Sequence, residues 1–278
     1  TLKPPLHPIM APMMPWERIG IDIFGPIQDT NNTTSYVVVI IDHFSKWPEI
    51  KVVHSIDSDE IIKFLREVIG RESLPKVIIS DNGGQFTSMK FKKFTEENGI
   101  RHNTTSNYHP EGNGAVERFN RVIKSCIQLA VSNNLNWEDE LFKTIVAYRI
   151  TSSELTKHSP FELMRGRTPR TNDNIGWLPS TKKVEWSSND VHQRLREKQK
   201  QMKDRFDFTR KTKKIELKIG DTVKVKKGRL VKKGESAFSG PLQVRKILCN
   251  SALLSDGKVW NAKRICMYKG TKTRREQV

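Results

Sequence analysis

Cysteine is nearly missing from this chain. Three occur in 278 residues, Cys126, Cys249 and Cys266, all far apart. Without a Cys-x-x-Cys pair neither a disulfide framework nor a cysteine-built zinc site is expected, and a reducing intracellular compartment fits. Long apolar runs are also missing. None approaches the roughly 18 residues of a membrane span, and no signal peptide is visible, so no membrane role is expected. The first fifteen residues lack periodicity and hold five prolines, which reads as an extended lead-in. The chain opens on Thr rather than Met, as a processed or excised product would. Acidic residues thin out towards the C-terminus. Residues 1–180 hold 21 Lys+Arg and 21 Asp+Glu, whereas residues 181–278 hold 28 and 10, the whole of the +18 net charge. A near-neutral body followed by a basic portion points to a polyanion partner, because neutralising phosphates drives sequence-independent affinity. The plainer reading of the same charge is a solvated tail.

What is present is a sequence of alternating periods. Ile19, Ile21 and Ile23 alternate with Gly20, Asp22 and Phe24, which predicts a strand with Asp22 on the face opposite the isoleucines. Val37 to Ile41 is a β-branched run suited to a strand buried on both faces, and a third strand is expected over 49–53. A helix follows, capped by Asp57 or Ser58, then a short strand ending at Ser80-Asp81. One helix is expected from Phe86 to Asn98, a further strand over 100–104, and a long helix over 110–132. More helices are expected at 137–150, from Ser159-Pro160, and over 191–208. From Ile215 short strands return at roughly 10–12-residue spacing, which predicts a small barrel. The whole reads as an α/β mixed-sheet domain over 16–170, a linker with a basic helix over 171–212, a β barrel over 213–270 and a basic tail over 271–278.

Three acids stand in distinctive settings. Asp22 lies within a strand, Asp81 ends a strand before Asn82-Gly83-Gly84, and Glu117 leads a helix after a glycine-bearing loop. A single aspartate on a strand is usually a cap, turn or ion-pair residue. Three carboxylates meeting on an apolar sheet need a counter-charge, and hard divalent cations supply it through oxygen ligands. A paired-metal site clamps the attacking and leaving oxygens of a phosphoryl transfer, the chemistry of a strand-cutting and strand-joining enzyme. Arg121 and Lys124 share the helix face of Glu117.

The stretches PWERIGIDIFGP, IDHFSKWPE, ISDNGGQF, NYHPEGNGAVERFNR and AYRITSSELTKHSPFELMRGRTP occur in this order, followed by a Gly-Asp, Gly-Pro, Asp-Gly strand pattern. In these the chain resembles the integrases of long-terminal-repeat retroelements, most of all those of Ty3/gypsy type, over nearly its whole length. The resemblance implies an RNase H-like catalytic core with Asp22, Asp81 and Glu117 as a metal-binding catalytic triad, and an SH3-like DNA-binding barrel. It implies two magnesium or manganese ions per site, 3′-end processing and strand transfer of element cDNA into chromosomal DNA, work in the nucleus, and a dimer or tetramer. Arg121 and Lys124 would grip element DNA, Tyr108 and Asn113 would border the scissile end, and Asn82 and Gly84 would meet target DNA. Lys224 and Lys226, on one exposed strand face, would hold phosphates in the barrel. The pattern departs from the family in three places. No cysteine precedes Cys126, so the family's N-terminal zinc domain is not expected here; Leu242 follows Gly240-Pro241 where an aromatic is usual; Glu111 and Ala115 stand where glutamine is frequent. The rival readings are a host-adopted remnant that binds DNA or chromatin without catalysis, and a transposase of the same superfamily.

Overall fold

The computed structural model describes residues 10–28, 33–104, 114–170, 183–210, 217–226, 236–248, 251–261 and 264–268. The chain divides into two compact units, one ending at Lys198 and the other beginning at Gln199.

In the first unit, β1 (Arg18–Gln28), β2 (Thr34–Asp42) and β3 (Pro48–Val53) form an antiparallel meander. Then come α1 (Ser58–Glu72), β4 (Val77–Ser80), a single turn α2 (Gly84–Thr87), α3 (Met89–Glu97) and β5 (Arg101–Thr104). The helices α4 (Gly114–Ser132), α5 (Trp137–Ile150) and α6 (Pro160–Arg165) follow. The strands order as β3-β2-β1-β4-β5, with β4 parallel to β1 and β5 parallel to β4. This is the mixed sheet expected from the alternating periods.

Alternation along β2 explains the layers. Val38 and Ile40 join Ile19 and Ile21 under α1 and α3, while Val37, Val39 and Ile41 pack on the other face against Val116, Phe119 and Ile123 of α4 and Leu141 and Ile145 of α5. A strand covered by helices on both sides has no use for polar residues, hence the unbroken β-branched run. Each such fully buried side chain contributes about 1.5–3 kcal/mol.

The caps follow their residue chemistry. Asp57 accepts from the Glu60 N–H at 2.9 Å to start α1. Ser159 and Glu162 form a reciprocal capping box on α6. The single helix expected from Phe86 to Asn98 is in fact two. Ser88 adopts an extended backbone and its hydroxyl accepts from the Phe91 N–H at 3.1 Å, so it ends α2 and caps α3.

A small apolar cluster closes one end of this unit: Ala11, Phe44, Leu163, Val191 and Leu195 are buried together, with Leu155 and Trp186 against them. Val191 and Leu195 belong to α7 (Ser188–Arg210), so the first turns of this polar helix are anchored in the first unit. His192 Nδ1 also meets the Pro12 carbonyl at 2.9 Å.

In the second unit β6 (Thr222–Val225), β7 (Leu242–Leu248), β8 (Ser251–Leu254), β9 (Val259–Asn261) and β10 (Ile265–Met267) make an antiparallel sheet of order β10-β6-β7-β8-β9. Val223, Val225, Val244, Ala252, Leu254 and Ile265 form its core, and Trp260 packs against them. The all-β unit is as expected; among the described residues β9 and β10 are not paired, so closure into a barrel is not seen.

Candidate active site

Two neighbouring strands bring the first two acids together. Ile19 pairs with Ile78 and Gly20 with Ile79 in parallel register, so Asp22 and the residue after β4, Asp81, come level a short step further on. The isoleucines of β1 face α1, which turns Asp22 towards α4. There Asp22 Oδ2 accepts from Asn120 Nδ2 at 2.8 Å, and Oδ1 accepts from the Ile23 N–H at 2.9 Å. Burial pushes the Asp22 carboxyl above the ordinary range; the hydrogen bond from Ile23 opposes this, and the nearby charge of Asp81 adds to the rise. Asp81 is exposed, and its Oδ1 accepts from the Gly83 N–H at 2.9 Å.

Glu117 lies one helical turn before Asn120 and is exposed. Residues three apart share a helix face, so Glu117 rises from the side of α4 that Asn120 turns to Asp22. Asn120 was not among the residues singled out from the sequence. Its spacing from Glu117 is the signal that would have found it. Asn120 Oδ1 is buried and has no hydrogen-bond partner. Among the described residues no three Asp, Glu, His or Cys side chains stand close enough together to hold a metal ion, so the three acids are two facing and one adjacent rather than a finished ligand set. The donor types nonetheless suit a hard divalent cation: two like charges held near one another, one of them half-buried, beside an unpartnered amide oxygen.

Arg121 and Lys124 are exposed and make no hydrogen bond or ion pair among the described residues. Asn82 is exposed, and Gly84 opens α2. Neither Gly83 nor Gly84 has a positive φ, and a Cβ on Gly84 would meet nothing within 4 Å. Turn geometry therefore does not demand glycine at Gly84, and the space above it is open. Tyr108 and Asn113 lie outside the described residues. In the second unit Lys226 is exposed, while Lys224 is partly covered, its Nζ 4.3 Å from the centre of the Tyr268 ring. The two lysines thus share a strand face but not an environment.

Residues 13–110 match the family profile described as integrase core domain, a stretch that includes Asp22 and Asp81. The uncharacterized protein K02A2.6 of Caenorhabditis elegans is 36% identical over 168 residues, covering 60% of this chain and 13% of that protein. The Tf2-3 transposon polyprotein of Schizosaccharomyces pombe is 28% identical over 257 residues, covering 86% of this chain and 19% of the polyprotein. The chain spans less than a fifth of the length of these relatives. Among solved structures, the intasome of simian T-cell lymphotropic virus in complex with the PP2A regulatory subunit B56 gamma superposes with a TM-score of 0.64. It covers 97% of this chain and 84% of that one at 19% identity, a likeness of fold. Residues 13–110 thus match the integrase core domain family, in a chain that resembles the integrases of long-terminal-repeat retroelements.

Proposed function

We propose that this chain is a polynucleotidyl transferase that processes the 3′ ends of element cDNA and joins them to chromosomal DNA. The observation that carries this is the apposition of Asp22 and Asp81 beside α4, one turn from Glu117. Asp22, Asp81 and Glu117 would hold magnesium or manganese, two ions by the family resemblance. Bound there, the metal supplies activation of an attacking oxygen and neutralises charge on the leaving one. Asn120 fixes the rotamer of Asp22, and the Gly83 N–H fixes that of Asp81. Arg121 and Lys124 present free cations along the same helix for a DNA backbone, and the open space at Gly84 leaves room for a second duplex. Tyr108 and Asn113, by resemblance, border the scissile end. Lys224 and Lys226 belong to the basic portion and would add phosphate contacts.

The test is joining of a labelled oligonucleotide into plasmid DNA with Mg²⁺ and with Mn²⁺. Asp81→Asn should abolish joining and leave DNA affinity nearly unchanged. Equal loss of both would sink the catalytic assignment, and wild-type binding without joining would turn the reading to a non-catalytic DNA-binding remnant. A chromosomal substrate places the work in the nucleus; a fluorescent fusion confined to the cytoplasm would oppose this.

Self-association is proposed through the face of β3 and α5. Ile50, Val52, Leu141, Phe142, Ile145 and Val146 line a groove of about 350 Å³ there, and Phe142 is 69% exposed. A second copy, bringing the same apolar patch, would cover it. Phe142→Glu should shift the mass seen by light scattering towards the monomer; an unchanged mass would move the interface elsewhere.

A further inference from the structure

Behind Asp81 stands a hydrogen-bonded pair that the proposed chemistry does not itself use. Ser80, the last residue of β4, is fully buried. Its hydroxyl donates to the Asp81 carbonyl at 2.7 Å, and its oxygen lies 2.8 Å from His102 Nε2. A hydroxyl has one hydrogen, so with that hydrogen on Asp81 the second bond is donated by His102 Nε2–H. The neighbouring strand carries the partner, since Ser80 pairs with Thr104 in β5, two residues beyond His102. The imidazole is itself held by rings: Phe91 meets it edge-on at 4.9 Å, and Phe86 meets Phe91 edge-on at 5.6 Å. Phe86 belongs to α2, immediately after the Asp81–Gly83 turn. The turn is therefore gripped on one side by a donor chain, His102 to Ser80 to the Asp81 carbonyl, and on the other by the helix that the same aromatic stack anchors. Burial keeps the His102 pKa below its usual value, so the ring that donates here is the neutral tautomer with its hydrogen on Nε2.

We infer that Ser80 and His102 are positioning residues that fix the backbone of the Asp81 turn, and through it the direction in which the Asp81 carboxylate is presented. This rests on the proposed role of Asp81. Asp81 lies between the end of β4 at Ser80 and the start of α2 at Gly84, so its main chain belongs to neither element. A group that must meet a cation with fixed geometry benefits from a main chain locked by bonds behind it.

The experiment compares wild type, Ser80→Ala, Ser80→Thr and His102→Phe in the full chain. The threonine keeps the hydroxyl; the phenylalanine keeps the contact with Phe91 and removes the donor. Three quantities are read: hydrogen exchange of the Gly83 amide without metal or DNA, Mn²⁺ affinity by calorimetry, and the split between single-turnover joining rate and DNA affinity. Ser80→Ala should speed Gly83 exchange and weaken Mn²⁺ binding by about three- to tenfold each, the size expected for one lost buried hydrogen bond. It should lower the joining rate at unchanged DNA affinity. His102→Phe should move the same quantities less, and Ser80→Thr should keep wild-type values. Unchanged Gly83 exchange and Mn²⁺ affinity in Ser80→Ala would overturn the inference, as would a Ser80→Thr variant as impaired as the alanine. If the wild type joins no DNA, the integrase reading fails, while the exchange measurement still decides whether Ser80 holds the turn.

Discussion

At the scale of single residues, His43 is a group on which the fold depends in a pH-sensitive way. It follows β2, and its Nε2 is buried without a hydrogen-bond partner. Burial first, then the charges of Lys46, Arg18 and Arg118, hold its pKa down to about 3. An unfolded histidine takes up a proton near pH 6.5, so the neutral folded ring contributes stability above that pH, and the contribution is lost as pH falls through the window towards 3. Between pH 7.5 and pH 5 this one group should remove about 2 kcal/mol. Urea unfolding at the two pH values should show that loss in the wild type and a smaller one in His43→Leu. An equal loss in both would assign the acid sensitivity to other groups. Asn120 shows the opposite kind of residue: its amide is spent on Asp22, so its importance is in geometry rather than in charge. Neither residue is conspicuous in the sequence, because what makes each matter is the neighbour it meets from a distant segment.

At the scale of elements, what was legible was what periodicity controls. The isoleucine alternation of β1 set Asp22 on the α4 face, and the Val37–Ile41 run announced a central strand. The stripe Val116, Phe119, Ile123, Cys126, Ile127 and Ala130 is the buried face of α4. Local chemistry was read less well: Ser88 looked like one more residue in a helix, yet its extended backbone breaks it. Least legible was the cluster of Ala11, Phe44, Leu163, Val191 and Leu195, because its members come from segments spread over most of the first unit and two of those segments read as polar or irregular. This cluster has a practical consequence. A chain ending at residue 180 loses Trp186, Val191 and Leu195 and uncovers the fully buried Phe44. It should be less stable than one ending at Lys198 by about 5 kcal/mol, from several apolar side chains lost together. Thermal unfolding of the two truncated chains measures this; equal midpoints would show that α7 contributes nothing to the first unit.

At the scale of the whole molecule the dominant quantity is the charge imbalance. Residues 199–278 carry 23 Lys+Arg against 7 Asp+Glu. For a protein that binds DNA by neutralising phosphates, log K falls linearly with log salt concentration, by about 0.9 for each phosphate neutralised. The full chain should show a steep slope and residues 1–198 a much shallower one, measured by anisotropy with a labelled duplex. Equal slopes would relocate the electrostatic surface to the first unit. A shallower slope for residues 1–198 would mean that DNA affinity and the proposed catalysis are separable by cutting the chain at a single point.

The unobstructed position at Gly84 makes a reporter that most active sites do not offer. The Cβ of an alanine there would meet nothing within 4 Å beyond its chain neighbours and its own helix backbone, and alanine is a better helix former than glycine, so folding should be unharmed or slightly improved, by up to about 1 kcal/mol. Most substitutions beside catalytic groups confound damage to the scaffold with damage to recognition. Here the two come apart, and successively larger side chains at this one residue, from alanine to valine to phenylalanine, would gauge how closely an incoming duplex approaches the surface. On the proposed reading, the side-chain length at which joining fails while the melting temperature holds would be a direct ruler of the gap between this surface and target DNA.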